Sequence, residues 1–170
     1  WLTQRLKLAF VDKPVDPGRP PLERAYIRQH YRDRVFNFRR RPRDKAHLIR
    51  PIMVVLHHTG STKLLSALYT LRNKQLGRRG ARHLVRGTLG VGVPYLTARD
   101  GRIFRLFTDD HRFGRHIIGL NHSAIGIENV GNKHHPLTRI QVEQNARLIE
   151  HMALRHPLRW LIGHREVYQM

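Results

Sequence analysis

Two histidines stand where the sequence can best support metal chemistry, each at the carboxyl end of an apolar segment of strand length. His57 follows residues 52–56, Ile-Met-Val-Val-Leu, and His164 follows residues 160–163, Trp-Leu-Ile-Gly. A histidine in such a place is positioned by the core and still reaches solvent, as a catalytic metal ligand must. A zinc hydrolase uses three N or O ligands and keeps one position open for water. Spacing alone leaves an ordinary surface role open, because the chain contains 13 histidines.

The neighbour of the first histidine is a competing ligand. His57 and His58 are adjacent in a predicted strand, and successive side chains of a strand point to opposite faces. At most one of the two is therefore expected to bind the metal.

The elements around these histidines follow from apolar patterning and turn chemistry. The runs at 52–56 and 124–130 predict buried strands, and a shorter strand covers 160–162. Two further strands, near 91–98 and 102–107, are joined at Asp100-Gly101, a hairpin turn signal. The order strand, helix, three strands, helix, strand predicts an α/β domain with a mixed central β-sheet flanked by helices.

Both predicted helices have a start signal and an apolar side. Ser61 or Thr62 can cap the first helix, which presents Leu64, Leu65, Leu68 and Leu71. Thr138 and Gln141 form a capping box for the second helix, which ends before Pro157. Its expected buried residues are Val142, Ala146, Ile149 and Ala153.

Domain organisation is predicted to be simple. Residues 1–45 are rich in proline and arginine and are interpreted as a basic leader segment that lies on the domain, with a short helix opening near Pro21. Residues 46–170 form the domain itself. The chain contains no cysteine, which excludes disulfides and cysteine-ligated metals within it. No apolar run approaches the roughly 18 residues of a transmembrane segment.

Charge is the unusual feature of the composition. The chain has 32 Lys and Arg against 12 Asp and Glu, a formal net charge of +20. Such a balance favours polyanionic partners: nucleic acid, anionic membrane or acidic cell-wall polymer. Nucleic acid is not expected, because the basic residues lack the interleaved aromatic side chains of a stacking platform.

Four motifs, in order, resemble those of the type 2 N-acetylmuramoyl-L-alanine amidases, a family that includes phage amidases and peptidoglycan recognition proteins. They are Val-Val-Leu-His-His-Thr-Gly at 54–60, the hairpin at 93–103, Asn-His-Ser-Ala-Ile-Gly-Ile-Glu at 121–128, and Leu-Ile-Gly-His at 161–164. The resemblance implies that fold, a Zn²⁺ cofactor, a peptidoglycan substrate, and hydrolysis of the amide between N-acetylmuramic acid and L-alanine. It also implies a periplasmic or extracellular location.

The resemblance further implies residue roles. His57 and His164 would be metal ligands, and Glu128 matches a glutamate that serves some members as general base. His116 matches a histidine of the substrate groove, and Asn121, His122 and Tyr95 are assigned to the same groove, although a surface role for His116 is equally open.

The sequence departs from the family pattern in two places. Val93 stands where other members have a tyrosine, so Glu128 is expected to handle the proton. The third metal ligand of the family lies beyond the position of Met170, so the domain is interpreted as truncated at its carboxyl terminus. A non-catalytic peptidoglycan-binding domain of the same fold is therefore the main alternative.

Overall fold

The computed structural model describes residues 8–31, 45–75 and 88–169. Its strands are β1 (Phe10–Asp12), β2 (Met53–His58), β3 (Tyr95–Thr97), β4 (Ile103–Arg105), β5 (Ala124–Asn129) and β6 (Trp160–Gly163). Its α-helices are α1 (Arg19–His30), α2 (Leu64–Arg72) and α3 (Arg139–Ala153), and a 3₁₀ helix spans Glu166–Gln169. From β2 onward, strands and α-helices follow the order predicted from the sequence.

The six strands form one mixed sheet in the order β1-β4-β3-β5-β2-β6. Strands β3, β5, β2 and β6 are parallel neighbours, whereas β4 is antiparallel to β3. The carboxyl ends of β2, β5 and β6 therefore meet at one edge of the sheet, called here the carboxyl edge. The predicted α/β class with a mixed central sheet is confirmed.

Helix α3 covers one face of the sheet and begins at the predicted capping box between Thr138 and Gln141. Its buried apolar residues are Leu148 and Met152, in a cluster that includes Val54, Tyr95, Ile103, Ile125 and Ile127. The predicted buried side of this helix was wrong at Val142, which is 54% exposed, and at Ala146 and Ala153, which are also exposed. The helix instead buries Gln141 and Asn145, because their side chains bond to strand groups beneath them.

The opposite face of the sheet is covered by α2 and by the segments before and after β4. Leu68 and Leu71 of α2 pack with Leu96, Phe104 and other apolar residues of this layer. Leu65, expected on the same side of the helix, is 81% exposed. The Asp100-Gly101 turn joins β3 and β4 as predicted, and Gly101 adopts a φ of 86°, which favours glycine.

The described part of the leader is built into the fold. Strand β1 pairs with β4, and α1 packs Tyr26 and Ile27 against Ile49, Leu89 and Phe113. The Arg19 side chain is fully buried and donates hydrogen bonds to the carbonyls of Asn73 at 2.6 Å and Gly90 at 2.9 Å. Residues 1–7 and 32–44 of the predicted leader lie outside the described residues. Within the described ranges, no helix has the length and apolar character needed to cross a membrane.

Candidate active site

The two histidines predicted as metal ligands meet at the carboxyl edge. Leu56 of β2 pairs in register with Gly163 of β6, so the next residues along the two chains, His57 and His164, lie side by side. Their Nδ1 atoms are 2.8 Å apart. His58 follows at the end of β2 and is exposed, whereas His57 is 5% exposed. Strand alternation thus selects His57 of the adjacent pair.

A chain of hydrogen bonds fixes the tautomer of His57. Nε2 of His116 lies 3.2 Å from the carbonyl of Ala124, so it carries the proton and donates to that oxygen. Nδ1 of His116 must then accept from Nε2 of His57, which is 3.0 Å away. This leaves the lone pair of His57 Nδ1 directed at His164. Such an orienting bond on the second ring nitrogen is typical of histidines that bind metals.

Burial keeps these imidazoles neutral. Desolvation, with smaller contributions from the neighbouring histidines, lowers the pKa of His57 to about 2. Desolvation also lowers the pKa of His116 to about 4. A neutral imidazole is the form that can coordinate a metal cation.

Glu128 lies beside His57 on the same face of the sheet. The two residues are register partners of β5 and β2. Burial raises the pKa of the Glu128 carboxyl to about 7. Its Oε2 atom is buried and has no hydrogen-bond partner within the described residues. A carboxyl that titrates near neutrality and has an unused oxygen is suited to accept and return a proton.

These four side chains line a cavity of about 250 Å³. Its walls come from separate parts of the chain, including Tyr26 of α1, Val93 before β3 and Arg115 in the segment before β5. The Arg115 guanidinium lies 4.7 Å from the centre of the Tyr26 ring and donates a hydrogen bond to Thr88 Oγ1 at 3.0 Å. The cavity therefore combines an acid–base group, two converging ligand nitrogens and a fixed positive charge.

The remaining candidate residues occupy three different environments. Asn121 is fully buried beside the cavity, where its Oδ1 accepts from the backbone N–H groups of His116 and Ile117, each at 2.8 Å. His122 packs its ring edgewise on Tyr31, 5.6 Å away, and is not among the cavity walls described. Through its two hydrogen bonds, Asn121 holds the turn that carries His116.

Tyr95 is not brought to the cavity. It is the register partner of Ile127, so it lies on the α3 face of the sheet, opposite to Glu128. Its ring is 3% exposed and stacks on Phe10, with the centroids 5.7 Å apart. The register of β3 with β5 therefore places Tyr95 and Glu128 on opposite faces.

The sequence analysis missed three contributors: Tyr26, Arg115 and Gly126. Tyr26 and Arg115 lie on elements whose packing no local pattern reveals. Gly126 lies two residues before Glu128 on the same face, in contact with the His116 ring, and a Cβ there would approach Val93 Cγ1 to 2.5 Å and His116 Nδ1 to 2.9 Å. A glycine on the site face of a buried strand was the available signal for such a close approach.

Gly126→Ala is expected to displace the His116 ring and break its hydrogen bond to His57. Because loss of an orienting partner typically weakens metal binding 10–100-fold, zinc affinity should fall by about that factor in a chelator competition. Gly18→Ala is the control, since the atoms nearest to its added Cβ belong to the side chains of Asp16 and Lys74. Unchanged zinc affinity in a folded Gly126→Ala protein would contradict this role for His116.

Glu128 should also make the stability of the metal-free protein depend on pH. Its folded pKa is raised, so the folded state holds a proton that the unfolded state releases, and stability falls as pH rises from about 4.5 to 7. Glu128→Gln removes this effect. The unfolding free energy of the variant relative to wild type should therefore increase by about 3 kcal/mol between pH 4.5 and pH 8. Urea titrations in the presence of a chelator measure it, and a pH-independent difference would refute it.

The arrangement fits a metal ion through His57 and His164, whose Nδ1 atoms lie 2.8 Å apart. The described residues supply no third histidine or carboxylate whose ligand atom groups with these two. Glu166 is the nearest carboxylate in sequence, but it accepts a hydrogen bond from the backbone N–H of Gly163. The described part of the chain has one other group that could hold a metal, formed by Asp110, His111 and His156.

Comparisons with known proteins agree with this geometry. The family model described as N-acetylmuramoyl-L-alanine amidase matches residues 48–170, well over half of the chain. No curated protein sequence gives a significant match.

Three similar solved structures are an amidase and two recognition proteins. The N-acetylmuramoyl-L-alanine amidase LysC from Clostridium intestinale URNW is 22% identical, with a TM-score of 0.52 over 72% of this chain and 75% of that one. Peptidoglycan recognition protein-LE in complex with tracheal cytotoxin, a monomeric diaminopimelic acid-type peptidoglycan, is 20% identical, with a TM-score of 0.55 over 74% and 76%. Bumblebee PGRP-SA is 20% identical, with a TM-score of 0.56 over 72% and 76%. These likenesses establish the fold.

Proposed function

The chain belongs to the family of type 2 N-acetylmuramoyl-L-alanine amidases, and on that premise we propose that it is a zinc-dependent hydrolase of bacterial peptidoglycan. The bond cleaved is the amide between N-acetylmuramic acid and L-alanine. The observation that carries the proposal is the convergence of His57 Nδ1 and His164 Nδ1 beside the Glu128 carboxyl. A periplasmic or extracellular location is part of the proposal, because the substrate lies there.

His57 and His164 would hold the zinc ion. When bound, zinc polarises the scissile carbonyl and lowers the pKa of the attacking water to roughly 7. His116 keeps the His57 ring in the required tautomer through the Nε2–Nδ1 hydrogen bond. Within the described residues, no third histidine or carboxylate groups with these two ligand atoms.

Glu128 would move the proton. Its buried Oε2 accepts a proton from the water that attacks the carbonyl carbon. When the C–N bond breaks, the carboxyl returns that proton to the leaving amine of L-alanine. Val93 offers no alternative, because its side chain cannot carry a proton. Arg115 adds a fixed cation to the cavity wall, which favours carboxylates of the peptide stem.

The direct test is digestion of purified peptidoglycan after the protein has been dialysed against a chelator. With zinc restored, mass spectrometry should find peptides with a new L-alanine amino terminus and glycan strands whose muramic acid is free of peptide. Without zinc, the products should be absent. New reducing sugar ends instead of L-alanine amino termini would show that a glycosidic bond is cut, and the proposal would be wrong.

A non-catalytic peptidoglycan-binding function is the second candidate. It is favoured by the two-ligand metal centre of the described residues and by the structural likeness to a recognition protein in complex with a peptidoglycan fragment. Sacculus pelleting without product release, in the presence of zinc, would support this candidate over hydrolysis.

Capture of the substrate should depend on salt. We propose that the net charge of +20 helps the protein to find anionic wall polymers. Binding to sacculi should weaken as ionic strength rises to the physiological range, where the Debye length is about 8 Å. A pelleting assay measures this, with duplex DNA at matched salt as the competitor. Salt-independent binding would show that the net charge does not contribute to substrate capture. Equally tight binding of DNA would favour a nucleic-acid partner.

A further inference from the structure

A second group of metal-type side chains lies at the opposite edge of the sheet from His57. Asp110 follows β4, and His156 lies between α3 and β6. Because Arg105 at the end of β4 pairs with Tyr95 at the start of β3, both segments lie at the amino ends of the parallel strands. A six-residue strand spans about 20 Å, so this group is distinct from the proposed active site.

Three ligand atoms converge there. Asp110 Oδ1 lies 2.8 Å from His156 Nε2 and 3.5 Å from His111 Nδ1, and the three atoms lie within 4.8 Å of one another. Ligand atoms bound to zinc at 2.0–2.1 Å in a tetrahedron are about 3.3 Å apart. The two distances from Asp110 Oδ1 lie within about half an ångström of that value, and the two histidine nitrogens lie no more than 4.8 Å apart, so an ion would fit once the two imidazoles close on it.

An ion would resolve an imbalance that the protein groups leave. The Asp110 side chain is fully buried. Nδ1 of His111 is also buried and makes no hydrogen bond within the described residues, since 3.5 Å is too long for one. A buried polar atom without a partner destabilises the folded state, and coordination would remove that penalty.

We infer that Asp110, His111 and His156 form a second, structural metal site with a preference for zinc or a similar divalent transition metal. Two imidazoles and one carboxylate are ligands of that class, whereas calcium and magnesium prefer oxygen alone. The ion would link the segment after β4 to the turn between α3 and β6. This inference does not depend on the proposed hydrolase activity, because no residue is shared.

Arg155 is the main competitor of the metal ion for the Asp110 carboxylate. Its Nη1 lies 3.1 Å from Asp110 Oδ2, so the carboxylate already has one cationic neighbour. The ion-pair geometry leaves Oδ1 to the two histidines, and the Arg155 side chain is 47% exposed and can move away. Removal of this charge should therefore strengthen metal binding, whereas it would only weaken a cluster that exists as an ion pair.

The test uses the His57→Ala/His164→Ala protein, in which the first site is removed. Zinc binding is measured by chelator competition, and Co²⁺ absorption reports the coordination. We expect one zinc ion per chain to remain, with affinity at least tenfold lower after His111→Ala and severalfold higher after Arg155→Gln. His111→Ala deletes no hydrogen bond of Nδ1, so it should fold even where Asp110→Asn does not.

Exposed His134 provides the control for adventitious binding. His134→Ala should leave zinc affinity unchanged. The inference is overturned if the folded double variant binds no zinc, if His111→Ala leaves the affinity unchanged, or if His134→Ala lowers it as much as His111→Ala does. A rise in melting temperature with zinc that disappears in His111→Ala would support it independently.

Discussion

Glu128→Gln is expected to lower the rate of L-alanine-terminated peptide release from peptidoglycan by a hundredfold or more, while zinc content stays stoichiometric. A positioned general base contributes roughly 10²–10⁴ in rate. Glutamine keeps the size and shape of the side chain but cannot take a proton. The fold should be retained because Oε2 has no hydrogen bond to lose within the described residues.

Glu143→Gln is the matched control for this substitution. Glu143 is exposed on α3 and forms an ion pair with Arg139 one turn away, at 2.9 Å. The Glu143→Gln variant should release peptides at the wild-type rate. If Glu128→Gln kept more than about a third of wild-type activity, the proton would be handled elsewhere, and His116 would be the next residue to replace.

His57→Ala is expected to remove both zinc and activity. Loss of one of two converging imidazoles leaves His164 without a partner ligand at the metal centre. Both proteins carry His111→Ala, which weakens binding at the Asp110 cluster, and metal analysis after dialysis should then give one zinc ion per chain where His57 is intact. The variant should then hold none.

His58→Ala is the control for zinc content at this position. His58 is adjacent in sequence but follows the opposite alternation of β2, so stoichiometric zinc should remain. Zinc that survives His57→Ala but not His58→Ala would reverse the assignment of the pair.

The central part of the fold could be predicted because its signals are local. The apolar run at 52–56 predicted β2, and its alternation predicted that His57 and His58 point to opposite faces, as the burial of His57 and the exposure of His58 show. The capping box at Thr138 fixed the start of α3. These features depend on neighbouring residues alone, so a single sequence contains them.

The buried side of α3 could not be predicted in the same way. Gln141 donates to the carbonyls of Thr97 and Val130, and Asn145 donates to Asn129 Oδ1 at 2.8 Å. Polar side chains are buried when such partners are present. The partners lie in or next to β3 and β5, so they cannot be read from the helix sequence. Apolar periodicity within the helix therefore predicted that Val142 is buried, whereas Gln141 and Asn145 are buried instead.

The same distinction separates the site residues that could be predicted from those that could not. His57, Glu128 and His164 end or follow strands, so their meeting follows from sheet order. His116 lies in an irregular segment, and its bond to His57 depends on the close approach at Gly126. Tyr95 shows the converse limit, because a motif match locates a residue in the chain but does not by itself say which face of the sheet it occupies.

The buried Arg19 guanidinium shows that the folded unit includes residues that the family match does not cover. The family match begins at residue 48. Arg19, 29 positions before that start, donates hydrogen bonds to the carbonyls of Asn73 and Gly90 inside the match. A protein cut at the start of the match would leave those acceptors without this donor and the cavity without Tyr26. The portion recognisable by descent is therefore shorter than the portion that must fold together, and the second should set where the gene is divided.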